Sequence, residues 1–88
     1  MSAFDSSASS TSTSAALNTL AVGKSGVVES ISGDDEISIR LMEMGIVPDT
    51  ELKVIGMAPL GDPLELELRG YRLSVRRTEA ARITVQIS

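Results

Sequence analysis

This chain of 88 residues has no cysteine, no histidine and no tryptophan. The missing cysteines exclude a disulfide scaffold and a thiolate nucleophile, and the missing histidines exclude an imidazole general acid or base. A zinc knuckle is excluded on both counts. Aromatic rings are confined to Phe4 and Tyr71, too few for the stacking platform that single-stranded nucleic acid requires. A net charge of −4 argues further against a nucleic-acid partner, because a phosphate backbone is bound by excess positive charge. No apolar run approaches the roughly 18 residues of a spanning helix. The chain is therefore expected to be soluble and cytoplasmic, with no direct membrane insertion. It is not expected to be an enzyme, since no nucleophile–base pair can be assembled from what is left.

What is present divides in two. Residues 1–16 hold seven serines, Thr11, Thr13 and four alanines, with Asp5 as their one charge. Such small polar residues bring too little apolar area to offset the entropy of ordering a chain. The stretch reads as a disordered Ser/Thr-rich tail, and it lacks the basic and apolar regions of a signal peptide. Residues 17–88 read as the folded domain, near the lower size limit for a single core without disulfides. Charge is uneven along it. Residues 1–67 carry eleven acids and three bases, a net −8, whereas 69–88 carry five arginines against Glu79, a net +4.

Period-two alternation marks the strands. It is clearest in Leu64-Glu65-Leu66-Glu67-Leu68 and again in Tyr71-Arg72-Leu73-Ser74-Val75-Arg76. Arg69-Gly70 between them suits a two-residue hairpin turn, with Gly70 taking a positive φ. That register sets Leu68 opposite Tyr71, Leu66 opposite Leu73 and Leu64 opposite Val75, and it pairs Glu67 with Arg72 on the other face. The alternation also sends Tyr71 inward. Shorter strands are expected at Gly26–Ile31, Thr50–Met57 and Arg82–Ile87. Thr78-Glu79-Ala80-Ala81 is long enough for one helical turn, with Thr78 as its cap. Together these predict a mainly β fold: a small SH3-like antiparallel barrel of about five strands with one short helix inserted after the first.

That helix is predicted from Asp35 to Met44. Asp34, Asp35 and Glu36 suit the positive end of its dipole, Gly45 stops it, and Pro48 prevents its resumption. Ile37, Leu41 and Met44 share one face while Ile39 and Met42 lie nearly opposite, so a small barrel can cover only one set. The uncovered set, with Arg40 at its edge, is the candidate docking surface. Arg69, Arg77 and Arg82 lack an assigned partner and leave positive charge to spare. The acidic run is a solvated helix start rather than a cation site, and no iron site is expected where no imidazole exists. No cofactor is expected.

Arg40-Leu41-Met42-Glu43-Met44-Gly45-Ile46-Val47-Pro48, then Ala58-Pro59-Leu60-Gly61-Asp62-Pro63, then Arg69-Gly70-Tyr71-Arg72 through Ala80 together resemble the FeoA family. The likeness covers about residues 20–87. It implies an SH3-like barrel and a role as a cytoplasmic accessory protein of bacterial ferrous-iron uptake, in a family linked to transition-metal binding. It also implies a partner, the membrane permease FeoB with its cytoplasmic GTP-binding domain. The docking residues expected on these grounds are Ile39, Arg40, Leu41, Met42, Met44 and Arg77. Weak self-association is the other interaction allowed for. One departure is Asp49, where the family often has glycine after the proline. A related domain closes DtxR-type iron-dependent repressors. That alternative, a regulatory module of transcription, would require an upstream helix-turn-helix in place of a Ser/Thr-rich stretch, and a self-associating scaffold without a link to iron is the third reading.

Overall fold

The computed structural model describes residues 13–87. Six strands form one antiparallel sheet: β1 Thr13–Ala16, β2 Ser25–Ile31, β3 Glu51–Met57, β4 Leu64–Leu68, β5 Tyr71–Val75 and β6 Ile83–Ile87. Their order is β1-β6-β2-β3-β4-β5. The helix α1, Glu36–Glu43, connects β2 to β3, and the one-turn helix α2, Arg77–Ala80, connects β5 to β6. Register shifts at Val28/Ser30 and Val54/Gly56 bend the sheet, as bulges do.

The β4–β5 hairpin has the register that alternation predicts, with Leu68 opposite Tyr71, Glu67 opposite Arg72 and Leu64 opposite Val75. Both turn residues have positive φ, 52° at Arg69 and 84° at Gly70. This is the type I′ geometry whose twist matches that of the strands. Leu64, Leu66 and Leu68 are buried, together with Leu52, Val54, Val75, Ile83 and Val85. At about 25 cal/mol per Å² of apolar surface removed from water, burial of these rows is the main force holding the bent sheet around its core.

Several details differ from the sequence expectation. The sheet has one strand more than anticipated, because Thr13–Ala16 pairs with β6, Ala15 lying opposite Val85. The boundary at residue 16/17 therefore falls inside the fold. Backbone pairing and the half-burial of Ala15 and Ala16 order a segment whose side chains alone carry no strand signal. The rest of the stretch read as a tail, residues 1–12, lies outside the described residues. Just after β1, Leu17 and Leu20 enter the core from a 3₁₀ turn. The helix consequently follows the second strand.

Helix α1 ends as its sequence directs. Asp35 caps it, its Oδ1 accepting from the Ser38 N–H at 3.4 Å. At the other end Gly45 has φ +102°. The Gly45 N–H donates to the Met42 carbonyl, and the Ile46 N–H donates to that of Leu41. This is a Schellman motif, with the accompanying apolar contact supplied by Leu41 and Ile46, both fully buried. Next comes a turn closed by Thr50 N–H to the Val47 carbonyl at 3.1 Å. Pro48 occupies its second position and Asp49, with φ +74°, its third, where a type II turn demands a positive φ. Aspartate tolerates that region better than most side chains, so the turn is kept where the family often has glycine.

Candidate docking surface

The core takes one face of α1. Leu41 is 0% exposed, and Ile37 and Met44 pack against the same core cluster. Leu41 is therefore corrected from a docking residue to a core residue, and half-buried Met44 belongs mainly to the core face. Ile39 and Met42 are left outside, 49% and 43% exposed. The two-faced helix thus resolves with the Leu41 stripe inward.

Tyr71 is a second correction. It is 43% exposed and stands beside the end of α1, its hydroxyl donating to the Met44 carbonyl. One of the carbonyls left open at a helix C-terminus is satisfied in this way. Alternation places the Tyr71 Cβ toward the core, but a phenol carries a polar tip that finds a backbone acceptor at the barrel rim.

Glu79 organises the neighbouring corner. Its carboxylate accepts from Arg40 Nη2 and from the Arg76 backbone N–H at 3.0 Å. The second contact is the reach-back half of a capping box, from the third residue of α2 to the residue before it. Thr78 is therefore not the cap: α2 begins at Arg77, and Arg76, two residues before Thr78, holds the capping position. Glu79 is nearly buried while Arg40 is half-exposed, 8% against 56% for their side chains. The pair ties α1 to the β5–β6 corner. The spacing Arg76-x-x-Glu79 was the local signal available for the cap, but the long-range partner Arg40 had none.

The remaining arginines divide. Arg82 is not spare: its Nη1 lies 2.6 Å from Asp35 Oδ1. The hydrogen bond from Arg82 is the largest cause holding the Asp35 carboxyl below its ordinary 3.8, and the Ser38 N–H acts in the same direction. Arg77 donates its backbone N–H to Asp62 Oδ1 at 2.9 Å and its Nη1 to the Gly61 carbonyl at 3.2 Å. Arg77 thus fastens the Ala58–Pro63 loop and lies beside the cluster rather than on the exposed face of α1. Arg69 reaches Thr50 Oγ1 at 3.4 Å. The two ion pairs described are Arg40–Glu79 and Arg82–Asp35; Arg72 faces Glu67 by register without joining them. Leu60, 95% exposed at the tip of the 58–63 loop, is an apolar surface residue that periodicity could not reveal.

A cavity of about 350 Å³ opens at this corner, lined by Arg40, Asp62, Pro63, Ser74, Arg76 and Glu79. Among the described residues no three His, Cys, Asp or Glu side chains converge as metal ligands. No described helix is long and apolar enough to cross a membrane. The arrangement offers contacts: two exposed apolar side chains, an arginine-lined notch beside them and a protruding leucine.

A bent six-stranded sheet with a helix over one end is an SH3-like fold, and the comparisons with known proteins agree. The FeoA domain matches over residues 15–87, and the chain belongs to the FeoA family. It is 34% identical over 71 residues to the Fe(2+) transport protein A/Fe(2+) transporter FeoB fusion protein of Porphyromonas gingivalis. That match covers 81% of this chain and 8% of the fusion protein, so the chain spans a small fraction of that relative's length. The FeoA-like protein of Clostridium acetobutylicum has the same fold with a TM-score of 0.79 and 39% identity, covering 84% of this chain and 86% of that one. FeoA of Stenotrophomonas maltophilia, an SH3 domain protein solved with zinc, gives 0.69 at 34% identity, covering 78% and 86%. A manganese-dependent transcriptional repressor reaches 0.79 at 20% identity, over 85% of this chain and 37% of its own; that likeness is one of fold.

Proposed function

We propose that this protein is a cytoplasmic accessory factor of bacterial ferrous-iron uptake, acting by contact with the cytoplasmic part of a FeoB-type permease and catalysing nothing itself. The observation that carries the reading is the fusion of a related FeoA sequence to FeoB in one chain. Covalent fusion holds two modules at high effective concentration, which serves domains that work in contact. On this chain the contact is assigned to the outer face of α1, with Ile39 and Met42 as apolar anchors and Arg40 at their edge. Partly exposed apolar side chains rimmed by charge are the usual composition of such a surface. Arg77 supports this surface from the side by holding the 58–63 loop.

The test is a pair of substitutions on adjacent residues. Leu41→Glu places a carboxylate in the core and should unfold the domain, whereas Met42→Glu should leave the circular dichroism spectrum and melting temperature nearly unchanged. Folded Met42→Glu protein should no longer be retained by the immobilised cytoplasmic part of the permease, while the wild type is retained. Normal retention of Met42→Glu would move the interface off α1.

A further inference from the structure

We propose that the notch between α1 and the β5–α2 corner, lined by Arg40, Asp62, Pro63, Ser74, Arg76 and Glu79, receives carboxylate side chains from an acidic segment of the protein partner, with Arg76 and Arg40 as their ligands. The proposal rests on the protein–protein reading above and names the chemistry of the segment that docks.

The charges of the notch are not equivalent. Its two carboxylates already accept hydrogen bonds: Glu79 from Arg40 Nη2 and the Arg76 N–H, Asp62 from the Arg77 N–H. Its guanidinium groups are not used up. Arg40 spends one nitrogen on Glu79 and remains 56% exposed. The Arg76 side chain is exposed, and it takes part in neither of the two ion pairs found among the described residues. Each guanidinium presents five donors in a planar fork that matches a carboxylate. Arg77 stands alongside at the start of α2, its Nη1 bonded to the Gly61 carbonyl of the 58–63 loop.

Ligand class follows from size and charge. A volume of about 350 Å³ is at the small end of ligand cavities, which run from about 300 to 1,000 Å³. It suits one or two side chains rather than a cofactor. The resident Asp62 and Glu79 disfavour a phosphate dianion more than a singly charged carboxylate. The chain as a whole is acidic, with a net charge of −4, so it has no general attraction for an acidic partner, and the two guanidinium groups of the notch supply local attraction. Such local complementarity orients the encounter. Ile39 and Met42 on the adjoining helix would then take apolar residues flanking the acids.

The full chain, labelled with nitrogen-15, is titrated with a blocked peptide of alternating glutamate and leucine, its glutamine–leucine counterpart, and inorganic phosphate. The glutamate peptide should shift the side-chain Nε resonances of Arg40 and Arg76 saturably, with little change at Arg69. The glutamine peptide should not shift them, and phosphate should compete weakly. Arg76→Gln should weaken binding of the glutamate peptide at least tenfold while leaving the barrel amide resonances in place. Uniform shifts at all exposed arginines, unchanged affinity in Arg76→Gln, or full displacement by an equal concentration of phosphate would each overturn the proposal. Retention by the permease is measured in parallel. A folded Arg76→Gln protein retained as well as the wild type would overturn the notch and leave the permease reading standing. Peptide binding in the notch by a wild-type chain that the permease does not retain would overturn the permease reading alone.

Discussion

Removing the Glu79 carboxylate is the perturbation whose cost the structure defines best. In Glu79→Ala two contacts disappear: the charge-assisted bond from Arg40 and the acceptor for the Arg76 N–H. A hydrogen bond to a charged group contributes about 1.5–3 kcal/mol. The half-exposed Arg40 is rehydrated once freed, so its bond falls at the lower end. Loss of a side-chain cap costs about 1 kcal/mol more. The expected loss is about 2–4 kcal/mol, a large share of the roughly 5–15 kcal/mol that holds such a domain folded. At about 4–8 °C per kcal/mol for a domain of this size, the melting temperature should fall by at least about 8 °C. Arg40→Ala leaves a nearly buried carboxylate with one donor and should cost about 1–3 kcal/mol. Once Glu79 is gone, truncating Arg40 should cost little. The double variant is therefore less destabilised than the two single losses added together, the mark of residues in direct contact. Urea denaturation of the four proteins measures all of these terms. A Glu79→Ala loss below about 0.5 kcal/mol, the range of ordinary surface substitutions, or strict additivity in the cycle, would refute the reasoning.

Two further outcomes follow from α1 and its ends. The Asp35 carboxyl is held below its ordinary value, first by the Arg82 hydrogen bond and then by the Ser38 N–H. Its stabilising contribution is therefore fully present above the unfolded-state pKa near 3.8 and disappears as pH falls through the lower folded-state value. The melting-temperature gap between wild type and Asp35→Asn should be constant from pH 7 to 5 and close in the acid range; a gap that persisted at pH 2 would contradict the assignment. Gly45→Ala combines a positive φ with a Cβ directed at the Tyr71 hydroxyl, whereas Gly70→Ala has a positive φ and open space. Gly45→Ala should therefore be the more destabilising in urea melts, by about 1 kcal/mol or more, and equal losses would mean that Tyr71 does not pack there.

Legibility in the sequence followed the range of the interaction. Helix α1 between Asp35 and Met44, its stop at Gly45 and the Leu64–Val75 hairpin register were readable because their causes lie within a few residues. Caps, turn glycines and side-chain alternation all act over such distances. The tertiary structure alone decided which face of α1 is buried, since Leu41 and Met42 are equally apolar neighbours and only the packed barrel distinguishes them. It also decided that Thr13–Ala16 is a strand. A segment of Thr, Ser and Ala has no apolar pattern of its own, and its order comes from backbone groups that β6 offers from more than 65 residues away in the chain. Tyr71 and Glu79 follow the same rule. Their partners, the Met44 carbonyl and Arg40, are brought within reach only when the chain closes, because a polar contact between distant residues leaves no periodicity in the sequence that encodes it.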